Sequence, residues 1–368
     1  MALRRAALVV AALALAACGR PDQEFINGTP DFAALSMEIS GDASEGAAAV
    51  DPDRTGLVQT ESAVGSASAY LIGARDTVKA LNGALRAILT QLVNLINSED
   101  PSAPQADLRV YGPRDTEFAT FKLTLKKIEV NKYGWKLEAK PLGGTDDQYV
   151  PVIAGWMAKG ALPHRGRGVI GIDLDAYGTV TSDPNYHGQG KLLSGFAYVG
   201  NSKVLAYKLN AFTPNSTVNA PLTAAFVGYR NLDTNFTAIR IASWTNIDQT
   251  ATLAPELILT RLRHKIGVGG RADIVAAKGD LPTGEFYWGT GCWNAAEEEV
   301  VKILRHCTTT ISEATCTVVG TSVGTIDLCH ADVTQAPPAA DENVDSQESG
   351  SPDGTLAPPA TFPTIDGN

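Results

Sequence analysis

The chain has 368 residues, 44% of them hydrophobic, and a formal charge of −10 that is unevenly spread. Residues 19–60 carry eight acids and two bases, residues 335–368 carry six acids and no base, and residues 61–334 carry 26 of each sign. A charge-balanced body excludes a nucleic-acid surface, which needs concentrated Lys and Arg to displace counterions; the length suits one large core or two modest ones.

At the N-terminus Arg4 and Arg5 precede an apolar run of 12 residues, Ala6 to Ala17. A helix needs about 20 apolar residues to cross ~30 Å of hydrocarbon, so residues 1–17 read as a secretory signal and not as a span. The end of the segment, Leu15-Ala16-Ala17-Cys18, resembles the lipobox of bacterial lipoproteins. That resemblance implies cleavage before Cys18, a diacylglyceryl group on its sulfur and acylation of the new N-terminus. At about 0.8 kcal/mol per buried CH₂, three such chains anchor firmly to a membrane. Gly19 follows the cysteine; by analogy with enterobacterial sorting this implies the outer membrane, facing the periplasm or the cell surface.

Residues 18–60 are rich in Gly, Ala, Ser, Asp and Pro, and residues 335–368 are similar. Such compositions bury too little apolar area to offset the entropy of ordering, so both are expected to be disordered. The first would be an acidic tether; at ~5–6 Å × √n the 42 residues after Cys18 span roughly 35 Å and would let the body stand off the bilayer.

Residues 61–334 are expected to form a single domain. Its first element is a helix over 61–97, on the stripe Ala74, Val78, Leu81, Leu85, Ile88, Leu92 and Leu95, widened by Leu89 and Ile96. From 107 to 293 the period changes to two: Trp135, Leu137 and Ala139 alternate with Lys136, Glu138 and Lys140, and Ile258 and Leu262 with Arg261, Arg263 and Lys265. Gly, Pro, Asn and Asp clusters separate ten or more such runs. The fold class is therefore mainly β (α+β): an antiparallel meander curled into a barrel or half-barrel, packed on the long helix. Lys and Arg on the polar parity argue against a transmembrane barrel, whose outer band is apolar.

Cys292, Cys307, Cys316 and Cys329 form a cysteine-rich cap over 292–329, and an even number in an exported chain predicts two disulfides. Asn294-Ala-Ala-Glu297 reads as a capping box opening a helix to about Arg305. That helix would hold the Cα atoms of Cys292 and Cys307 ~18–20 Å apart, beyond the ~7 Å that a bridge tolerates. Cys307–Cys316 with Cys292–Cys329 is the preferred pairing. His306 and His330 adjoin two of these cysteines, but the spacing matches no zinc pattern, so no metal is assigned.

Signals of chemistry are sparse. There is no G-x-S-x-G, H-E-x-x-H or phosphate-binding glycine loop. Asp173 and Asp175, two apart on an expected strand, resemble the start of a calcium loop or an acid/base pair. His264 shares the parity of Leu262 and is expected to point inward, while His187 lies in the loop DPNYHGQG. The sequence thus predicts a non-enzymatic lipoprotein without a cofactor, whose partners are the membrane, through Cys18, and a lipid or other hydrophobic ligand held in the curved sheet. A structural or surface-interaction lipoprotein with a filled core is the first alternative, and a hydrolase using Asp173, Asp175 or His187 the second.

Overall fold

The computed structural model describes residues 22–39, 66–98, 100–102, 104–213, 222–245, 254–340, 356 and 358–367. The signal segment, Cys18 and residues 40–60 lie outside them. Fourteen strands form one antiparallel sheet in strict sequence order. They are β1 (Leu108–Asp115), β2 (Thr120–Glu129), β3 (Lys132–Lys140), β4 (Val150–Lys159), β5 (Gly166–Asp173), β6 (Gln189–Val199), β7 (Ser202–Thr213), β8 (Leu222–Asn231), β9 (Phe236–Thr245), β10 (Glu256–Lys265), β11 (Gly269–Ala277), β12 (Phe286–Trp293), β13 (Glu299–Cys307) and β14 (Cys316–Val318). β1 pairs with β2 and β14 with β13, leaving two edges, so the sheet is open and the expectation of a closed barrel is corrected. A barrel needs its first and last strands in register, and β14 offers only three residues for pairing.

The cap, too, departs from the helix expected of its sequence. No helix follows Asn294; β13 does, buried at every second residue from Glu299 to Cys307. Asn294 Oδ1 accepts from the amides of Ala296 and Glu298, which makes a tight turn between β12 and β13. The same local chemistry that starts a helix closes a hairpin here, because the residues that follow include β-branched Val301 and Ile303, which pair with Cys292 and Thr290 of β12. The disulfides are Cys292–Cys329 and Cys307–Cys316, the preferred pairing. Cys292 faces Val301 across the hairpin, and Cys307 lies six residues further along β13, roughly 20 Å away at strand rise. The excluded bridge is thus excluded by a strand instead of a helix.

One face of the sheet carries α3 (Ala69–Ser98), preceded by two short helices, α1 (Gln23–Ile26) and α2 (Phe32–Leu35). Val78, Leu85, Leu89, Leu92, Leu95 and Ile96 of α3 are buried in one cluster with Trp135, Phe196, Tyr207, Phe226 and Leu262 of the strands. Gly291 makes the approach possible at the start of the helix: a Cβ there would lie 2.2 Å from the Tyr70 ring.

Residues 22–39 are packed, which corrects the expected disordered tether over that stretch. Phe25, Leu35, Met37 and Ile39 are buried, and Phe25 meets Tyr133 edge-on. Asn82 of α3 exchanges two hydrogen bonds with the Met37 backbone, at 3.1 and 2.6 Å, and Tyr207 donates to the Leu35 carbonyl. The C-terminal expectation is corrected in the same way, on the opposite face. Gln335 reaches Asp273 on β11, Leu356 packs with Ala197, Val204, Ala206 and Val227, and Phe362 and Pro363 lie over Gly171 of β5. Asp366 ends that belt with an ion pair to Lys126 of β2, at 2.6 Å. Both ends of the chain therefore run across the sheet, one on each face.

Candidate functional site

Two buried polar clusters and one groove stand out. The first lies where α3 begins. Trp293 shares the parity of Gly291 on β12 and so faces the helix, over Gly270, while a bulge at Val300 brings Glu299 opposite it. There its Nε1–H donates to His264 Nδ1 at 3.1 Å. His264 is 2% exposed, and its Nε2 lies 3.9 Å from Glu297 Oε1. Glu297 in turn accepts two bonds of 2.6 Å from Arg75 of α3. The Arg75 guanidinium holds the Glu297 carboxyl below its usual range, with His264 as a smaller contributor and burial opposing both. Chemically this is a clamp: a bidentate ion pair ties the helix start to the β12–β13 turn. With Nδ1 already accepting from Trp293, His264 serves the packing of that clamp.

The second cluster is on the opposite face. Asp273 of β11 is fully buried and accepts from Arg271 Nε (2.7 Å) and Nη2 (3.0 Å), Thr290 Oγ1 (2.8 Å), Trp288 Nε1 (3.2 Å) and Gln335 Nε2 (3.0 Å). Arg305 lies over the Trp288 ring, 4.3 Å from its centroid. Arg261 and Arg263 donate to the carbonyls of Ala336 and Thr334, so the belt is gripped by its backbone. No single sequence motif marks this cluster; its members come from β10, β11, β12, β13 and the belt. The available signal was the run of arginines on one parity of 261–271, which reads equally well as a solvated face.

The groove runs between α2 and α3, lined by Pro30, Phe32, Leu89, Thr90, Leu92 and Val93, with Arg86 stacked on Phe32 at its mouth. Its volume is about 140 Å³.

The structure does not bring the sequence candidates into one site. Asp173 ends β5 and caps α4 (Leu174–Gly178), accepting from the Ala176 amide at 2.9 Å and pairing with Lys191 at 2.8 Å. Asp175 accepts from the Gly190 amide at 2.7 Å. The expected pair on one strand face is thus corrected: a helical turn intervenes, and both carboxylates fix the loop between β5 and β6. His187 is exposed in that loop, at the end of the sheet away from His264. Among the described residues no group of three His, Cys, Asp or Glu side chains could hold a metal ion.

A fourth group carries a pH signature. Lys203 of β7 is 7% exposed and donates to the carbonyls of Ala33 and Ser36. Burial pushes its ammonium down to about 7, against the opposing pull of Glu38 and Asp31. The unfolded chain then binds more protons than the native one between about pH 7 and the ordinary lysine range, so Lys203 makes stability rise with pH through that window. From pH 7 to 9.5 the wild type should gain on the order of 2 kcal/mol over Lys203→Met, whose profile should be flat by comparison. Parallel urea titrations at the two pH values measure this; equal slopes would remove the role assigned to burial.

Comparison with protein families, with curated proteins and with solved structures finds no match to this chain.

Proposed function

We propose that the chain is an exported lipoprotein, anchored through acyl chains on Cys18 to the outer membrane, with a non-enzymatic body that acts through its surfaces. The lipobox carries the first half of that proposal, and the two disulfides suit an oxidising compartment. The second half rests on the filling of the sheet. Helix α3 begins against the β12–β13 turn, where Ala67 bridges to Glu298, and it also touches β1. Twelve flat strand steps would span ~58 Å, whereas 30 helical residues span ~45 Å, so we read the sheet as a trough with α3 laid along its hollow. Residues 22–39 occupy the rest of that hollow, and the single observation that carries the reading is that Tyr207, Phe196, Leu35 and Met37 are all buried there.

The hydrophobic-ligand reading attaches to the groove beside Phe32. At about 140 Å³ it is smaller than the roughly 300–1,000 Å³ of ligand pockets, and it suits the end of a chain better than a whole lipid.

Wild-type protein should fractionate with membranes and carry the mass of three acyl chains, and Cys18→Ser should lose that mass. Wild-type protein without acyl mass would sink the anchor. The filled trough is tested separately by titrating native Cys18→Ser protein with an apolar fluorescent dye. No saturable uptake is expected; one-to-one uptake abolished by Leu89→Asp would favour the groove as a ligand site.

A further inference from the structure

In a strict meander, the links that follow even-numbered strands all emerge at one end of the sheet. Five successive links at that end each carry an exposed aliphatic residue. Val130 lies between β2 and β3, Leu162 between β4 and β5, Val199 at the end of β6, Leu232 between β8 and β9, and Ile266 between β10 and β11. Their exposures are 83, 53, 42, 36 and 46%. They recur every second strand, so they form a row of roughly 40 Å along the rim, at ~4.8 Å per strand step. Half-buried Trp156, Tyr198 and Phe236 lie just behind the tips, near the same ends of their strands.

The opposite rim differs in charge. Its described links, 114–119, 140–149, 173–189, 278–285 and 308–315, hold ten acids and three bases. The five apolar-tipped links, 127–132, 159–165, 199–203, 230–236 and 265–268, hold seven bases and two acids. Several of those bases are neutralised by the chain's own acids: Lys127 by Glu24, Arg230 by Glu38 and Lys265 by Asp332. The apolar rim is thus close to neutral, and the far rim is strongly negative.

The path of the N-terminus supplies an independent observation. Asp22 pairs with Arg109 at the start of β1, Glu24 with Lys127 at the end of β2, and His164, in the link after β4, bonds the Asn27 and Thr29 backbone. All three contacts are at the apolar rim. Cys18 is four residues upstream of Asp22, and four residues of extended chain reach no more than about 14 Å.

We propose that the rim bearing Val130, Leu162, Val199, Leu232 and Ile266 docks on the lipid bilayer, its aliphatic tips entering the headgroup region. The proposal deepens the lipoprotein reading, and the short lead from Cys18 to Asp22 rests on it. A bilayer is the occupant that fits: scattered aliphatic tips on separate hairpins make a poor protein interface but each can enter lipid alone, and interfacial aromatics suit the boundary behind them. The acidic far rim is repelled by anionic headgroups, which orients the body. The domain therefore sits on the membrane; it does not stand off it on a 42-residue tether.

The test uses full-length Cys18→Ser protein, which has no acyl anchor, so its outcome is independent of whether Cys18 is lipidated in the cell. Sedimentation with phosphatidylethanolamine/phosphatidylglycerol vesicles at millimolar lipid should show saturable binding. Adding Val130→Ser, Leu162→Ser, Leu232→Ser and Ile266→Ser should weaken it at least tenfold with an unchanged melting curve. Leu142→Ser, on the far rim and 42% exposed, should leave it unchanged. Tryptophan placed by Leu162→Trp should be quenched by brominated lipid, and by Leu142→Trp should not. Absence of vesicle binding by the parent, or equal binding by parent and rim variant, overturns the proposal, as does self-association through the tips without lipid binding. The anchor itself fails only if the wild-type protein lacks acyl mass.

Discussion

Replacing Asp273 by alanine should destabilise the protein by about 3–5 kcal/mol, measured as the shift in a urea transition at constant slope. Asp273 has no exposed surface and accepts five hydrogen bonds from four side chains. Alanine would leave the Arg271 guanidinium, itself 8% exposed at its side chain, without its counter-charge in a medium of low polarity. It would also strand the Trp288 and Thr290 donors and release Gln335 of the belt. Because most of the loss comes from the abandoned arginine, the double variant Asp273→Ala/Arg271→Met should recover a large part of it. A single-variant loss below about 1 kcal/mol, or a double variant no better than the single, would show that water reaches the cluster and that the belt does not seal it.

Removing the Cys292–Cys329 bridge with Cys292→Ala and Cys329→Ala should lower stability by roughly 3–4 kcal/mol. The closed loop spans a sequence separation of 37, and loop-closure entropy of that length corresponds to that magnitude. The loss should be larger than for Cys307→Ala/Cys316→Ala, whose loop spans 9. The bridge also has a local role. Cys329 lies two residues before the turn at Ala331–Val333, which leads into Thr334, Gln335 and Ala336, the residues held by Arg263, Asp273 and Arg261. Reduced protein should therefore show early hydrogen exchange in 331–336 ahead of global unfolding. Exchange in that segment unchanged by reduction would show that the arginines alone hold the belt.

The alternation of Trp135, Leu137 and Ala139, and of similar runs from 120 to 293, was enough to place most of the strands, because a half-buried strand writes its two faces into the sequence at period two. The exclusion of a Cys292–Cys307 bridge was also legible, since extended geometry and helical geometry both hold the two too far apart; between the two remaining pairings the sequence offered a preference, and the structure decided. β13 was not legible. A turn that opens with an Asn accepting from the next amides looks the same whether a helix or a strand follows, and only pairing with β12 decides between them.

The ends of the chain show the division most sharply. Averaged over residues 19–60 and 335–368 the composition is poor in large apolar groups, and the sequence by itself read both stretches as unable to fold alone. What it could not reveal is that Phe25, Leu35, Met37, Leu356 and Phe362 are sparse anchors whose pockets lie far along the chain. The backbone carbonyls of Ala33, Leu35 and Ser36 are captured by Lys203 and Tyr207, separated from them by 167 to 172 residues. The same holds for the clusters around His264 and Asp273, and for the row of aliphatic tips along one rim. Strand periodicity is a local property that each segment carries, whereas the donors, pockets and rims that give the ends their place exist only once fourteen strands have been laid side by side.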